Sequence, residues 1–358
     1  MKGMEAIVEN VMIDRWTRFF SAPPNRVNRP HETDAELVES AAFPGHLLAV
    51  TIDTVAEEIA QGIYRDPFTA GWVSVAASLS DLAAVGADPL GLVVAATLNP
   101  ASGDEFNAKV AQGMEQACRA AGTAILGGDT NLSDRVELTG CAIGLVPKDR
   151  VLRRSGCSAG DAVYVSGPVG MGNALGLVRL ADLPDKLFPE ERYRPASRLA
   201  HGRLLRDYAT CCMDSSDGLL ATLDQLMRIN NTGFSIDCDW DRLLAPAVSQ
   251  LCQATGTPGW SVAAGPHGEF ELVATVPQAK DAAFLAAGRA QGMSFIRLGT
   301  VDEKPELVLK LPSGKAVVVD AAPFRNLLFT VGADMKRYMR EFLALGAGMG
   351  LSSHDATR

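Results

Sequence analysis

Apolar and polar positions alternate with two periods along this chain, and the periods divide it into strands and helices. Ile7, Val11, Trp16 and Phe19-Phe20 recur at helical spacing, which predicts an amphipathic N-terminal helix ended by Pro23-Pro24. His46 to Asp53 reads as a strand. Thr69 to Val85 reads as a helix with Trp72, Val75, Ala76, Leu79, Leu82 and Ala83 on one face, and Ser74, Ser78 and Asp81 on another. A strand over Gly91–Leu98, a helix over Phe106–Ala121, a short strand over Ala124–Leu126 that delivers Asp129 at its end, and a strand over Glu137–Val146 follow.

Turn residues and charges gather between Pro147 and Gly160, which marks a joint. Beyond it the alternation resumes. Strands are predicted over Ala162–Ser166, Phe234–Cys238 and Phe270–Val276, with helices from Asn173 and over Leu219–Ile229. After Thr330 a last helix carries Met335, Tyr338, Met339 and Phe342 on one face, and the final dozen residues are small and polar. Strand–helix alternation in two halves predicts an α/β (α+β) chain divided at 1–148, 149–330 and a C-terminal helical extension with its tail, 331–358.

Composition narrows the function classes. With 358 residues and 47% apolar content the chain can fill about two cores. A net charge of −9 argues against nucleic acid as a partner. Seven scattered cysteines without a C-x-x-C pair read as reduced thiols in a cytoplasmic protein. Glu5, Glu9 and Asp14 interrupt the N-terminal apolar pattern, so no secretory signal is expected there. Asp81, Asp88 and Pro89 break the apolar stretch between Val73 and Leu98, so no membrane span is expected either.

Candidate chemistry lies in four aspartate blocks set in apolar, Gly or Ala sequence: Thr51-Ile52-Asp53-Thr54, Ser80-Asp81 through Asp88-Pro89, Gly127-Gly128-Asp129-Thr130 and Met213-Asp214-Ser215-Ser216-Asp217-Gly218-Leu219. Buried carboxylates are costly without a counter-charge, and few Lys or Arg lie nearby in sequence. Oxygen-only ligands point to Mg²⁺. The five histidines, His31, His46, His201, His267 and His354, show no zinc spacing, and His267 reads as a solvated loop residue. Gly167 to Gly172, between a strand and a helix, is placed as a phosphate-binding turn would be. It matches neither a dinucleotide fingerprint nor a P-loop, and a packing turn is the simpler reading.

These blocks, in this order, resemble the thiamine-monophosphate kinase family within the aminoimidazole ribonucleotide synthetase-like superfamily. Arg154-Ser155-Gly156-Cys157-Ser158-Ala159-Gly160-Asp161 belongs to the same pattern, and the resemblance runs from about Glu32 to Thr275. It implies a two-domain fold in which the N-terminal sheets of two subunits pair into a barrel across a homodimer, with ATP and Mg²⁺ between the domains. By match of motif it implies Asp34, Thr51, Asp53, Asp81, Asp129, Asp214 and Asp217 as metal ligands. Gly127, Gly128, Asp129, Arg154 and Ser216 are implied at the nucleotide, and Asp81, Asp129, Arg154 and Asp217 in catalysis. Glu269 and Phe324 fall where the family's substrate segments fall.

Three acceptor-side segments depart from that pattern. Ala60 stands where the family has a substrate-contacting His, Pro266-His267-Gly268-Glu269-Phe270-Glu271-Leu272 replaces Gly-Gly-Glu-Asp-Tyr-Glu-Leu, and Ala321-Ala322-Pro323-Phe324 replaces Gly-Trp-x-His-Phe. The expected activity is phosphoryl transfer from ATP to a phosphate monoester, thiamine monophosphate going to thiamine diphosphate. The alternatives are a superfamily member that uses ATP to activate a different metabolite, and a non-catalytic nucleotide-binding protein.

Overall fold

The structure is a computed structural model that describes residues 3–332 and 334–351. The polar tail, with His354, lies outside the described residues.

Two sheets organise the chain. The first comprises β1 (Glu36–Glu39), β2 (His46–Thr54), β3 (Asp88–Leu98), β4 (Ile125–Leu132) and β5 (Glu137–Pro147), in the order β1-β2-β5-β3-β4. It is open within one chain: β1 and β4 are its edges. The second has seven strands: β6 (Ala162–Val165), β7 (Cys211–Asp214), β8 (Gly233–Asp237), β9 (Leu272–Val276), β10 (Ile296–Asp302), β11 (Leu307–Lys310) and β12 (Ala316–Val319). Their order is β12-β11-β8-β10-β6-β9-β7.

The helices introduced before the second sheet are α1 (Val8–Thr17), α2 (Ala56–Ala60), α3 (Pro67–Ala84) and α4 (Gly103–Ala121). Those that follow include α5 (Met171–Leu180), α6 (Leu199–Leu205) and α7 (Leu219–Asn230). Helix α3 is the hinge of the packing. Pro67 fits its first turn and the Asp66 side chain caps it through the Phe68 N–H. From Thr69 to Ala84 nearly every residue is buried. A helix apolar all round must be covered all round, and small residues let its neighbours close in. A Cβ on Gly71 would lie 2.1 Å from the Val110 carbonyl oxygen of α4, and one on Gly202 of α6 would lie 2.1 Å from that of Ala83. The first sheet, α4 and the second half of the chain therefore all rest on α3, whose C-terminal turn holds Ser80 and Asp81.

Several expectations shift. β4 extends to Leu132, so Asp129 lies inside a strand rather than after one. α1 ends at Thr17; Ile7 at its start is buried, but Trp16, Phe19 and Phe20 are exposed, so only the beginning of that apolar stripe faces the core. His267 is not solvated: its ring packs on Gly176, Nε2 has no partner, and burial lowers its pKa to about 4. All seven cysteines are free, and all but Cys141 are buried. Among the described residues no helix is long and apolar enough to cross a membrane.

Candidate active site

Strand alternation sets the first half of the site. On β2, Leu47, Ala49 and Thr51 point to the covered face of the sheet, and Asp53 continues that row. There the Thr51 hydroxyl donates to Asp81 at the end of α3. One residue earlier on α3, Ser80 Oγ donates to Asp214 Oδ2 at 2.8 Å, and Asp214 closes β7 of the second sheet. Asp34, just before β1, completes the group: Asp34, Asp81 and Asp214 each offer a carboxylate oxygen within 4.8 Å of the others. Two sheets and one helix thus deliver acids to one point.

The joint between the halves supplies the cation. The Arg154 N–H donates to the Glu32 carbonyl at 2.8 Å, while the neighbouring Arg153 carbonyl accepts from Cys212 N–H at 2.8 Å. So pinned on both sides, Arg154 donates from Nε and Nη2 to Asp34 Oδ1 at 3.2 and 2.8 Å. Burial opposes its charge, but Asp34, then Asp81 and Asp214, hold the guanidinium protonated more firmly than usual.

One cation does not balance the acids. Burial first, then Asp53 and Asp214, pushes Asp81 well above the usual carboxylate range. Burial and then Asp34 do the same to Asp214. Asp53 rises to about 6, chiefly through burial, with Asp217 and Asp34 adding to the shift and a hydrogen bond with Asp81 opposing it. Asp34 Oδ2 and Asp53 Oδ2 are buried without any hydrogen-bond partner. Unpartnered buried oxygens beside a carboxylate cluster are where a hard cation fits: the donor set is all oxygen, as Mg²⁺ requires. The same nest without cations must hold protons instead.

Asp217 follows in the Ser215–Gly218 turn at the head of α7. Gly218 there has φ of 86°, and a Cβ on it would meet the Gly265 carbonyl oxygen at 2.0 Å. Ser216 is half-buried in this turn. Asp217 stands outside the nest and lines an adjoining cavity of about 230 Å³. Its walls are Glu9 of α1, Glu57 of α2, and Phe324, Phe329 and Tyr338 from the end of the chain. Phe324 thus lines this cavity. The contribution of Glu9, Glu57 and the C-terminal helix Met335–Gly348 carries no local sequence signal; only the helical face of Tyr338 and Phe342 was readable.

Two expected participants lie elsewhere. The Glu269 carboxylate is turned to the head of α5, accepting from Gly170 N–H at 2.7 Å, Met171 N–H at 3.1 Å and Asn173 Nδ2 at 3.1 Å. It fills the position an anion would take at that helix N-terminus, so Gly167–Gly172 is a packing turn with an internal cap. Burial lifts Glu269 to about 8 against the pull of those N–H groups. Asp129 sits on edge strand β4 after Gly127 and Gly128, bonded to Asn131 Nδ2 at 2.7 Å and exposed. Its row runs through Ala95 and Thr139 to Thr54, beside Asp53 but on the opposite face of the sheet. With strands about 4.8 Å apart it is also roughly 14 Å along, too far to share an ion whose bonds are about 2.1 Å.

The AIR synthase related protein N-terminal domain matches residues 33–146, and the corresponding C-terminal domain matches 158–312. The thiamine-monophosphate kinase of Halobacterium salinarum is 37% identical over 242 residues, 67% of this chain and 80% of that one. That of Escherichia coli K12 is 31% identical over 265 residues, 71% and 79% of the two chains. The solved complex of AaThiL with AMPPCP and TMP superposes with a TM-score of 0.70 over 88% of this chain and 96% of that one; at 21% identity it shows the shared fold. The chain belongs to the thiamine-monophosphate kinase family of AIR synthase related proteins.

Proposed function

We propose that the protein is a kinase that transfers the γ-phosphoryl group of ATP to thiamine monophosphate, in the cytoplasm, with Mg²⁺ as the counter-ion of the nest. The observation that carries this reading is the convergence of Asp34, Asp81 and Asp214 from both halves of the chain, with Arg154 pinned between them. The kinase names of the relatives support it, and so does a structure of the same fold holding an ATP analogue and TMP.

Asp34, Asp81 and Asp214 are the residues that would hold Mg²⁺, which when bound would supply neutralising charge for the polyphosphate. Asp34, Asp53, Asp81 and Asp214 hold that charge, and Thr51 and Ser80 fix the carboxylates that face it. Arg154 offsets charge on the phosphates, with Ser216 and Asp217 at the mouth of the cavity. A phosphate monoester is already an anionic nucleophile, so its attack needs no general base; these residues position and neutralise. No phosphoenzyme is invoked. Residues 1–148 serve metal, nucleotide and subunit contact, 149–330 complete the cleft, and 331–358 form the extension.

Asp129 and the glycines before it are assigned to a further ion and to the nucleotide at a site completed by a second copy. Ile52 and Val93 share a row with Cys141 on the uncovered face of the first sheet, and both are exposed. Covering that face in a homodimer, its two sheets closing as a barrel, removes an apolar patch and brings Asp129 under cover. Incubation with ATP, MgCl₂ and thiamine monophosphate should yield ADP and thiamine diphosphate in equal amounts. Release of ADP without thiamine diphosphate, or a labelled protein that traps phosphate, would contradict direct transfer.

A further inference from the structure

Arg154 carries the positive charge of the nest, yet it stands on irregular backbone between the end of β5 at Pro147 and the start of β6 at Ala162. Backbone groups outside regular elements must find their partners one by one. The Arg154 N–H and the Arg153 carbonyl find theirs in Glu32 and Cys212. The next contacts come from the last residue of α7. Asn230 Nδ2 donates to the Arg154 carbonyl at 2.9 Å, and Asn230 Oδ1 accepts from the Gly156 N–H at 2.8 Å. Nδ2 also donates to the Leu226 carbonyl at 2.8 Å, which ties the amide to its own helix. The segment cannot slide away from this grip on its other side: Gly156 has φ of 122°, and a Cβ there would lie 2.6 Å from the Thr210 carbonyl oxygen.

The first turn of α7 is fastened to the nest as well. There Thr222 Oγ1 donates to the Asp214 carbonyl at 3.1 Å. Thr222 and Asn230 lie about two turns apart, roughly 12 Å along one helix. One rigid rod thus holds the backbone of an acid of the nest at its head and the backbone of the nest's cation at its tail. We propose that Asn230 is a positioning residue for phosphoryl transfer: its amide sets where the Arg154 guanidinium stands against Asp34, Asp81 and Asp214. A primary amide offers donor and acceptor together, which neither a carboxylate nor an aliphatic side chain does. Misplacing a preorganised charge by a fraction of an ångström weakens its contact with a phosphate. This inference rests on the phosphotransfer reading only in that a triphosphate must lie at the nest.

Mg·ATP is the probe, titrated calorimetrically into the full-length protein, with a melting curve for each variant. Asn230→Ala should weaken Mg·ATP about tenfold, the scale of a displaced charge-assisted contact. Asn230→Asp keeps the size and the acceptor for Gly156 but loses the donor to Arg154, and it should weaken Mg·ATP in the same direction. The KM for ATP should rise with it, while the KM for the acceptor stays within about twofold. The decisive step is a double-mutant cycle. In an Arg154→Gln background, Asn230→Ala should change Mg·ATP affinity less than twofold, because the group it positions is gone. A twofold or greater further loss in that background would mean that Asn230 serves the fold at large, and overturns the proposal. Wild-type Mg·ATP affinity in both Asn230 variants overturns it too. Protein that binds Mg·ATP yet forms no thiamine diphosphate would defeat the kinase reading and leave this one standing, so the two failures are distinct.

Discussion

The carboxylate nest and the cavity beside it adjoin at Asp217 yet are built in opposite ways. The nest takes its parts from regular elements: Thr51 and Asp53 on a strand, Ser80 and Asp81 on the last turn of a helix covered on every side, and Asp214 at the end of a second strand. Its side chains are tied to each other and to Arg154, and few can move without breaking a hydrogen bond. The cavity draws Glu9, Phe324, Phe329 and Tyr338 from the two ends of the chain, Glu57 from the short α2 and Asp217 from the turn before α7, and among the described residues none of these three carboxylates has a hydrogen-bond or ion-pair partner. A site that must hold charge in fixed geometry is set on rigid elements, while a site that chooses an acceptor can be rebuilt by changing what surrounds it.

If that contrast is right, substitutions on the two sides should fail differently. The largest effect is expected at the nest. Asp81→Asn should lower turnover by about 10²-fold or more, as loss of a preorganised electrostatic contact does, and should weaken Mg·ATP without unfolding the protein. Steady-state kinetics with a melting curve checks this. Asp129→Asn should lower turnover on a similar scale, while leaving the metal-free protein's response to pH unchanged, because Asp129 faces away from the nest.

That response to pH is the next largest effect. The folded pKa of Asp53, about 6, lies above its ordinary 3.8. The folded protein therefore binds more protons than the unfolded chain between those values, and stability is lost as pH rises through them. Without divalent cations, denaturation midpoints should fall from pH 4 to pH 7, by up to about 3 kcal/mol for a shift of this size. Mg²⁺ should flatten the profile; a profile that is flat without it would mean the acids are not confined together.

The smallest effect is expected where the family pattern suggests a substrate contact. Glu269→Gln should cost about 1 kcal/mol of stability, as loss of a helix cap does, and should leave the KM for the acceptor within about twofold. A tenfold rise in KM would return Glu269 to the acceptor side and blur the contrast between the two regions.

The same contrast explains what could be read from the sequence. Asp53, Asp81 and Asp214 stand out because an acid inside an apolar strand or helix conflicts with burial, and that conflict is local. The two-domain α/β layout was legible for the same reason, since strand and helix periods are local. The face on which Asp129 points was not: it depends on the register shift between Leu92 and Val93, which turns Asp129 into the row of Ala95 rather than that of Ala96. Nor could the target of Glu269 be read, because the head of α5 is brought to it by the sheet. Glu9 was hidden most completely. It looks like an ordinary charge on an exposed helix, and only the return of the last helix gives it a cavity to face.

The central claim is that acids from both halves of the chain grip one metal-bound triphosphate. Titrating ATP calorimetrically into the wild type and Asp214→Asn, with and without Mg²⁺, tests it most directly. Tight binding that requires Mg²⁺ in the wild type, and is lost in Asp214→Asn while the melting temperature holds, is the predicted result. ATP binding of equal strength in both proteins, indifferent to Mg²⁺, would contradict it.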